Sequence, residues 1–332
     1  MKRIGTNINA AVIYDDITQT IGHTPIVRLS RLVSEYDVKC EILAKVEFFN
    51  PAGSIKDRPA IAMIDALMAS SNFTNETEIV EATSGNNGVA CAWACAIKGI
   101  PLTIVIPEHM SIERRMLIQH YGAKVITTPK ELGTKGAIDY AKNLLLERPN
   151  AVMLDQFANE ANPKMHFNST AEEIWTDTDG NVDIIVAGIG TGGTITGIAK
   201  ALKARKPSVK IIAVEPASCP VLSKGYAGVH KIQGLSSGHV PDVLDTEILD
   251  EVITVTDEDA IKYARKLARK ESLAVGISSG AAACASIQVA LRPENSGKTI
   301  VTILADTAER YFSTELFNKE LVSTHVSAEE IC

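Results

Sequence analysis

Short β-branched runs alternate with helical stretches along nearly the whole chain, and this alternation limits the fold more than any other feature of the sequence. Candidate strands lie at 42–48, 78–82, 102–106, 124–127, 151–154, 183–187, 210–214 and 299–304. Candidate helices between them lie at 58–68, 88–97, 111–121, 137–146, 194–204, 258–270 and 279–291. Continuous apolar runs such as Ile184-Ile185-Val186 suit strands buried on both faces. The pattern predicts an α/β protein with mainly parallel sheets and helices on both sides of them. A length of 332 residues leaves room for two such domains.

The composition excludes several function classes. A net charge of -7 argues against a nucleic-acid partner, which calls for a basic face. No basic cluster points to a membrane surface, and no apolar run is long enough to span one. Behind Lys2 and Arg3 there is no apolar stretch of the kind a secretory signal needs. The six cysteines, at 40, 91, 95, 219, 284 and 332, form no C-x-x-C pair. No metal site is expected from them, and the reading is a reducing cytoplasm. Cys91 and Cys95 share an apolar helical run and read as core residues.

In sheets of this kind, chemistry gathers where strands end and glycine loops open helices. Asp183 to Thr194 reads as strand, glycine loop, helix, with Gly188, Gly190, Gly192 and Gly193 bringing backbone N–H groups close to an anion. Gly188-x-Gly190-x-x-Gly193 also fits a dinucleotide fingerprint, with Glu215 closing the next strand where a ribose-binding acid would stand. A second loop, Asn50 to Pro59, places Lys56 at a strand–helix connection. A hydride-transfer enzyme has no use for a lysine there, whereas a pyridoxal enzyme holds its cofactor through one. The third loop, Glu81-Ala82-Thr83-Ser84-Gly85-Asn86-Asn87-Gly88, offers short polar side chains and exposed amides suited to a carboxylate. The fourth, Gly276-Ile277-Ser278-Ser279-Gly280, leads into a helix.

Taken together and in this order, the loops resemble the cysteine synthase (O-acetylserine sulfhydrylase) family of fold-type II pyridoxal-phosphate enzymes. The likeness runs from about Ile17 to Phe317. It takes in Ile21 to Pro25, Lys45-Val46-Glu47, the Lys56 loop, Met110 to Arg115 and Gly133 to Ala137. Further on it takes in Gln156-Phe157, Gly190 to Thr194, Ala213 to Pro216, Gly276 to Gly280 and Glu309-Arg310-Tyr311. The resemblance implies two three-layer α/β domains of the tryptophan synthase β type. Residues 1–45 and 160–320 would form the larger, phosphate-holding unit, 46–159 a smaller mobile substrate unit, and 321–332 a tail.

The resemblance also implies roles. Lys56 would carry pyridoxal 5'-phosphate as a Schiff base and act as acid and base. Asn86 would meet the cofactor's 3-hydroxyl oxygen, and Gly190, Thr191, Gly192, Gly193 and Thr194 would cradle its phosphate. Ser278 would face the pyridine nitrogen, with Ser279 as the alternative. Thr83, Ser84, Gly85 and Asn87, with Gln156 and Gly234, would hold the substrate. The implied reaction is β-replacement on an activated serine, making cysteine from O-acetyl-L-serine and sulfide. A homodimer is implied, and serine acetyltransferase is a candidate partner.

Three departures stand out. Asn87 takes a place usually held by threonine. Gln233 to His239 reads Gln-Gly-Leu-Ser-Ser-Gly-His where relatives carry Gln-Gly-Ile-Gly-Ala-Gly-Phe. Ala305 and Ala308 replace a proline and a glycine. These bear on the substrate pair, and they keep open cystathionine β-synthase or another β-replacement enzyme with a different donor or nucleophile.

Overall fold

The computed structural model describes residues 13–83 and 85–317. The strands are β1 (Ile26–Arg28), β2 (Glu41–Val46), β3 (Glu78–Ala82), β4 (Leu102–Pro107), β5 (Lys124–Thr128), β6 (Ala151–Val152), β7 (Ile184–Gly188), β8 (Lys210–Pro216), β9 (Glu251–Val255) and β10 (Thr299–Leu304). The helices are α1 (Ser30–Val33), α2 (Asp57–Met68), α3 (Asn86–Lys98), α4 (Ile112–His120), α5 (Gly133–Glu147), α6 (Ala161–Asn168) and α7 (Thr170–Asp177). They continue with α8 (Gly193–Arg205), α9 (Val221–Lys224), α10 (Asp257–Lys266) and α11 (Ile277–Ala290).

Two sheets result. One is six-stranded in the order β1-β2-β10-β7-β8-β9, parallel except for β1 against β2. The other is four-stranded and wholly parallel, in the order β5-β4-β3-β6. Because side chains alternate across a strand, the apolar runs split cleanly between two faces. In the larger sheet Ile184, Val186, Ile300 and Leu304 pack against α10 and α11. Ile185, Ala187, Val301 and Ile303 pack against α7 and α8 on the other side. In the smaller sheet Ile79, Ile104 and Ile106 pack with α2 and α3, while Val80, Ala82 and Val105 pack with α5. Each isoleucine or leucine so buried contributes roughly 1.5–3 kcal/mol over its exposed state. This layering is what makes both sheets three-layer units.

The differences from the sequence reading have local causes. The strand expected at 42–48 ends at Val46, and Glu47–Phe49 turn out of the sheet as a 3-10 turn. Glu47 has to leave the ladder to meet Arg58, whose Nε and Nη2 donate to its two oxygens at 2.7 and 2.9 Å. Both side chains are fully buried, and Glu173 on α7 takes the other face of the guanidinium. Removing one partner of such a buried pair costs about 3–5 kcal/mol. The helix expected at 258–270 ends at Lys266 and runs on as a π turn, Leu267–Glu271, closed by Ser272 at φ +58°. Strands β1 and β9 and helices α6 and α7 were not foreseen. The expected tail 321–332, with Cys332, lies outside the described residues. The other five cysteines are buried free thiols.

Candidate active site

The carboxyl ends of both sheets open onto one cavity of about 890 Å³. Lys56, Asn86, Gly190, Thr191, Thr194 and Ser278 all line it. So do Thr83, Asn87, Gln156 and Gly234. Of the remaining sequence candidates, Gly85, Gly192 and Gly193 do not line it, and Ser84 is outside the described residues.

Lys56 precedes the first turn of α2, with its N–H donated to Ser54 Oγ at 3.2 Å. The turn is pinned by Asp57, which accepts the Ala52 N–H at 2.7 Å. Burial lowers the Lys56 amine to a pKa of about 8, against an opposing pull from Asp306. A lysine poised there is a usable base near neutrality. Asp306 is itself fully buried and accepts the Asn86 Nδ2 at 2.6 Å and the Tyr311 hydroxyl at 2.7 Å. Asn86 Oδ1 receives Arg310 Nη1 at 2.7 Å and Arg114 Nε at 3.1 Å. The guanidinium of Arg114 also lies 4.5 Å from the centre of the Tyr311 ring. Asn86 is therefore gripped from both sides.

The glycine loop ends at the start of α8. Aligned N–H groups at the start of a 13-residue helix favour an anion without any lysine or arginine. Thr191 Oγ1 accepts the Gly193 N–H at 3.3 Å and Asn162 Nδ2 at 3.1 Å. The same Asn162 nitrogen reaches the Gln156 carbonyl at 2.9 Å, tying the anion loop to the loop after β6. Thr194 Oγ1 meets His166 Nε2 at 3.2 Å. Burial drives the His166 pKa well below its usual value, so the imidazole is neutral.

A Cβ at Gly192 would point at Leu244, 2.6 Å from that residue's Cβ, and the backbone there has a positive φ of +81°. One sequence reading needs correction here. Glu215, read as a possible ribose acid, is spent on α9. It accepts the N–H groups of Leu222 and Ser223 at 2.8 and 3.0 Å. The two serines of α11 also separate. Ser279 is fully buried and its Oγ accepts the Ala305 N–H at 2.9 Å, while Ser278 lines the cavity.

Sequence reasoning gave no role to Asp306, Arg114, Arg310, Glu81 or Asn162. Arg114 and Arg310 stood inside quoted motifs, but each has a polar neighbour in sequence. Only the turn of the chain decides which of them points inward.

The set suits a phosphorylated aldehyde: a lysine of lowered pKa, an anion-binding helix start, and a neutral hydroxyl at the far wall. A sequence model of the family described as "Pyridoxal-phosphate dependent enzyme" matches residues 17–306. Cysteine synthase B of Campylobacter jejuni is 47% identical over 305 residues, covering 92% of this chain and 99% of that one. A cysteine synthase structure from Entamoeba histolytica superposes with a TM-score of 0.91 at 40% identity, covering 97% and 96% of the two chains. A mutant O-ureido-L-serine synthase with bound O-ureido-L-serine superposes with a TM-score of 0.90 at 37% identity, covering 94% and 96%.

Proposed function

Since the chain belongs to the cysteine synthase family of pyridoxal-phosphate-dependent enzymes, we propose an assignment of its residues to the synthesis of cysteine from O-acetyl-L-serine and sulfide. The observation that carries this reading is the convergence of Lys56, Ser278, the glycine loop and the Thr83–Asn87 loop on one cavity. When bound, the cofactor supplies an electron sink that weakens the bonds at the α- and β-carbons of the amino acid.

Lys56 would hold the cofactor covalently and, once released, take the α-proton as a free amine and later return it. Gly190 to Thr194 would bind the phosphate through N–H groups and the two hydroxyls. Asn86, fixed by Asp306, Arg114 and Arg310, would meet the 3-hydroxyl oxygen. Thr83, Gly85, Asn87 and Gln156 would hold the substrate carboxylate, with Gly234 on the opposite wall. Ser278 would offer the ring nitrogen a neutral hydroxyl, too weak an acid to protonate it, which would favour loss of acetate and its replacement by hydrosulfide at the β-carbon. Segment 46–159 would act as the smaller unit closing on the substrate. A homodimer in the cytoplasm is the setting we propose, with the tail of serine acetyltransferase as a competing occupant of the cleft. Among the described residues no helix is long and apolar enough to cross a membrane.

Turnover separates this from the neighbouring β-replacement reactions. With sulfide, O-acetyl-L-serine is expected to react at least about tenfold faster than O-phosphoserine or serine, a difference of about 1.4 kcal/mol in the barrier. The product identified by mass should be cysteine. Preferential formation of cystathionine or O-ureidoserine would replace this assignment by the alternative. The serines give a second check. Ser279→Ala removes the acceptor of a buried N–H and should destabilise the fold by about 1–3 kcal/mol. Ser278→Ala should leave the melting temperature unchanged, shift the cofactor's absorption and slow turnover. The opposite pattern would move the ring contact to Ser279.

A further inference from the structure

The proposed reaction leaves His166 without a task, although it is fully buried beside the anion loop. It stands on α6, which packs tightly on α8 because residue 197 is glycine. A Cβ there would lie 2.3 Å from the Pro163 carbonyl oxygen and 2.7 Å from His166 Cβ. The approach brings the imidazole to Thr194, one turn before Gly197, with Nε2 3.2 Å from its Oγ1. The other ring nitrogen, Nδ1, lies 2.9 Å from Oγ1 of Thr170, the fully buried first residue of α7. Among the described residues neither hydroxyl has a second hydrogen-bond partner.

A neutral imidazole donates from one nitrogen and accepts at the other. Burial and the charges of Lys56 and Arg58 hold His166 neutral, with Glu173 pulling the other way. Two arrangements satisfy the ring. With the proton on Nδ1, His166 donates to Thr170, and Nε2 takes the Thr194 hydrogen. The Thr170 hydrogen is then buried with no acceptor, which is costly, and Thr194 turns only lone pairs towards the cavity it lines. With the proton on Nε2, Thr170 donates to Nδ1 and Nε2–H donates to Thr194 Oγ1. The Thr194 hydrogen is left free. A phosphate monoester carries about −1.5 to −2 charges near neutrality and so chiefly accepts, which makes that free hydrogen the useful one. Both ends of the chain therefore favour the second arrangement. Thr191 reaches the same state by another route: its Oγ1 accepts the Gly193 N–H and Asn162 Nδ2, and its own hydrogen remains to be given.

We propose that His166 is a positioning residue whose proton stays on Nε2, so that Thr170, His166 and Thr194 form a one-way hydrogen-bond chain ending in a hydroxyl that donates to the cofactor phosphate. This rests on the reading of Gly190–Thr194 as the phosphate site. The direction of the chain is set by Thr170 before any ligand arrives, and no proton is gained or lost on binding. Without the imidazole donor the Thr194 hydroxyl is no longer held, and it can turn back to a carbonyl of the preceding turn, as threonines in helices do.

Nitrogen NMR of the wild-type protein with isotope-labelled histidines reads the tautomer directly, because protonated and bare ring nitrogens resonate far apart. The signals missing from His166→Leu identify the residue. The proton is expected on Nε2 both without cofactor and with pyridoxal 5'-phosphate bound. Nδ1 protonation in either state, or a ring carrying both protons, overturns the proposal. Affinity of the cofactor-free protein for pyridoxal 5'-phosphate gives the second measurement. Thr194→Val should weaken it at least about tenfold, whereas Thr194→Ser, which keeps the hydroxyl, should stay within about threefold. His166→Leu should weaken it about threefold or more, yet add nothing once Thr194 is valine, since the two act as one unit. A merely structural histidine would impose its full cost in the double variant as well. If Thr194→Val weakens binding but the tautomer or the double variant disagrees, the phosphate site stands and the role of His166 falls. If Thr194→Val leaves affinity unchanged, the assignment of Thr194 to the phosphate falls, and this proposal with it.

Discussion

Lys56→Ala is expected to leave a folded protein that turns over O-acetyl-L-serine at least about a thousandfold more slowly, within the range a positioned acid–base group supplies. Folding should survive because the Lys56 amine has no hydrogen-bond partner among the described residues and lines a cavity rather than a packed core. Removing a cation whose pKa burial depresses to about 8 also relieves a desolvation cost. The same value sets the sign of the pH effect. The free amine is the base, so the proton-abstraction step in the wild type should strengthen as pH rises through about 8 and level off above it. An added small primary amine should restore part of the variant's activity. A variant with near-normal turnover and an unchanged melting temperature would remove Lys56 from the reaction.

Gly192→Val should have the largest effect on cofactor retention. At φ +81° a branched side chain is strained by about 1–2 kcal/mol. Its Cβ would also stand 2.6 Å from Leu244 Cβ and 3.1 Å from Leu244 Cα. Crowding of that kind in a packed interior costs a further 1–3 kcal/mol or so. The loop can relax only by swinging the N–H groups of residues 191–193 away from the anion they would hold. Cofactor remaining after exhaustive dialysis should drop at least about tenfold, since 1.4 kcal/mol already gives that factor. A variant that keeps full occupancy and the wild-type melting temperature would show that the start of α8 is not the anion site.

The large features were legible because they depend on periodicity alone. Buried parallel strands such as β7 and β10 are continuous apolar runs, and α8 and α11 follow loops whose glycines announce them. What escaped has little apolar pattern of its own. β1 is three residues long at a sheet edge, and β9 begins with Glu251 and is only partly buried. α6, Ala161–Asn168, reads as a polar stretch containing a proline, yet Asn162, Pro163 and His166 are buried against neighbours far away in sequence. Its helicity is decided by packing on α2 and α8. The site divides in the same way. Residues that act through loop backbone, Gly190 to Thr194, could be read directly. Residues that act by supporting others could not, because the contact of Asp306 with Asn86 spans more than two hundred positions. The choice between Ser278 and Ser279 needed the helix to fix which hydroxyl meets the Ala305 N–H.

β10 lies between β2 and β7 in the six-stranded sheet, pairing Leu304 with Val46 and Val301 with Ile185. Among the described residues it is also the last strand the ribosome delivers. A nascent chain can assemble the four-stranded sheet early, since its strands all fall within residues 78–152. The larger sheet has to wait for residue 304, with β2 and β7 meanwhile presenting unpaired edges that invite the wrong neighbour. Premature termination between β9 and β10 therefore yields two separated half-sheets, β1-β2 and β7-β8-β9, and a stop codon that late in the coding sequence should be as damaging as an early one.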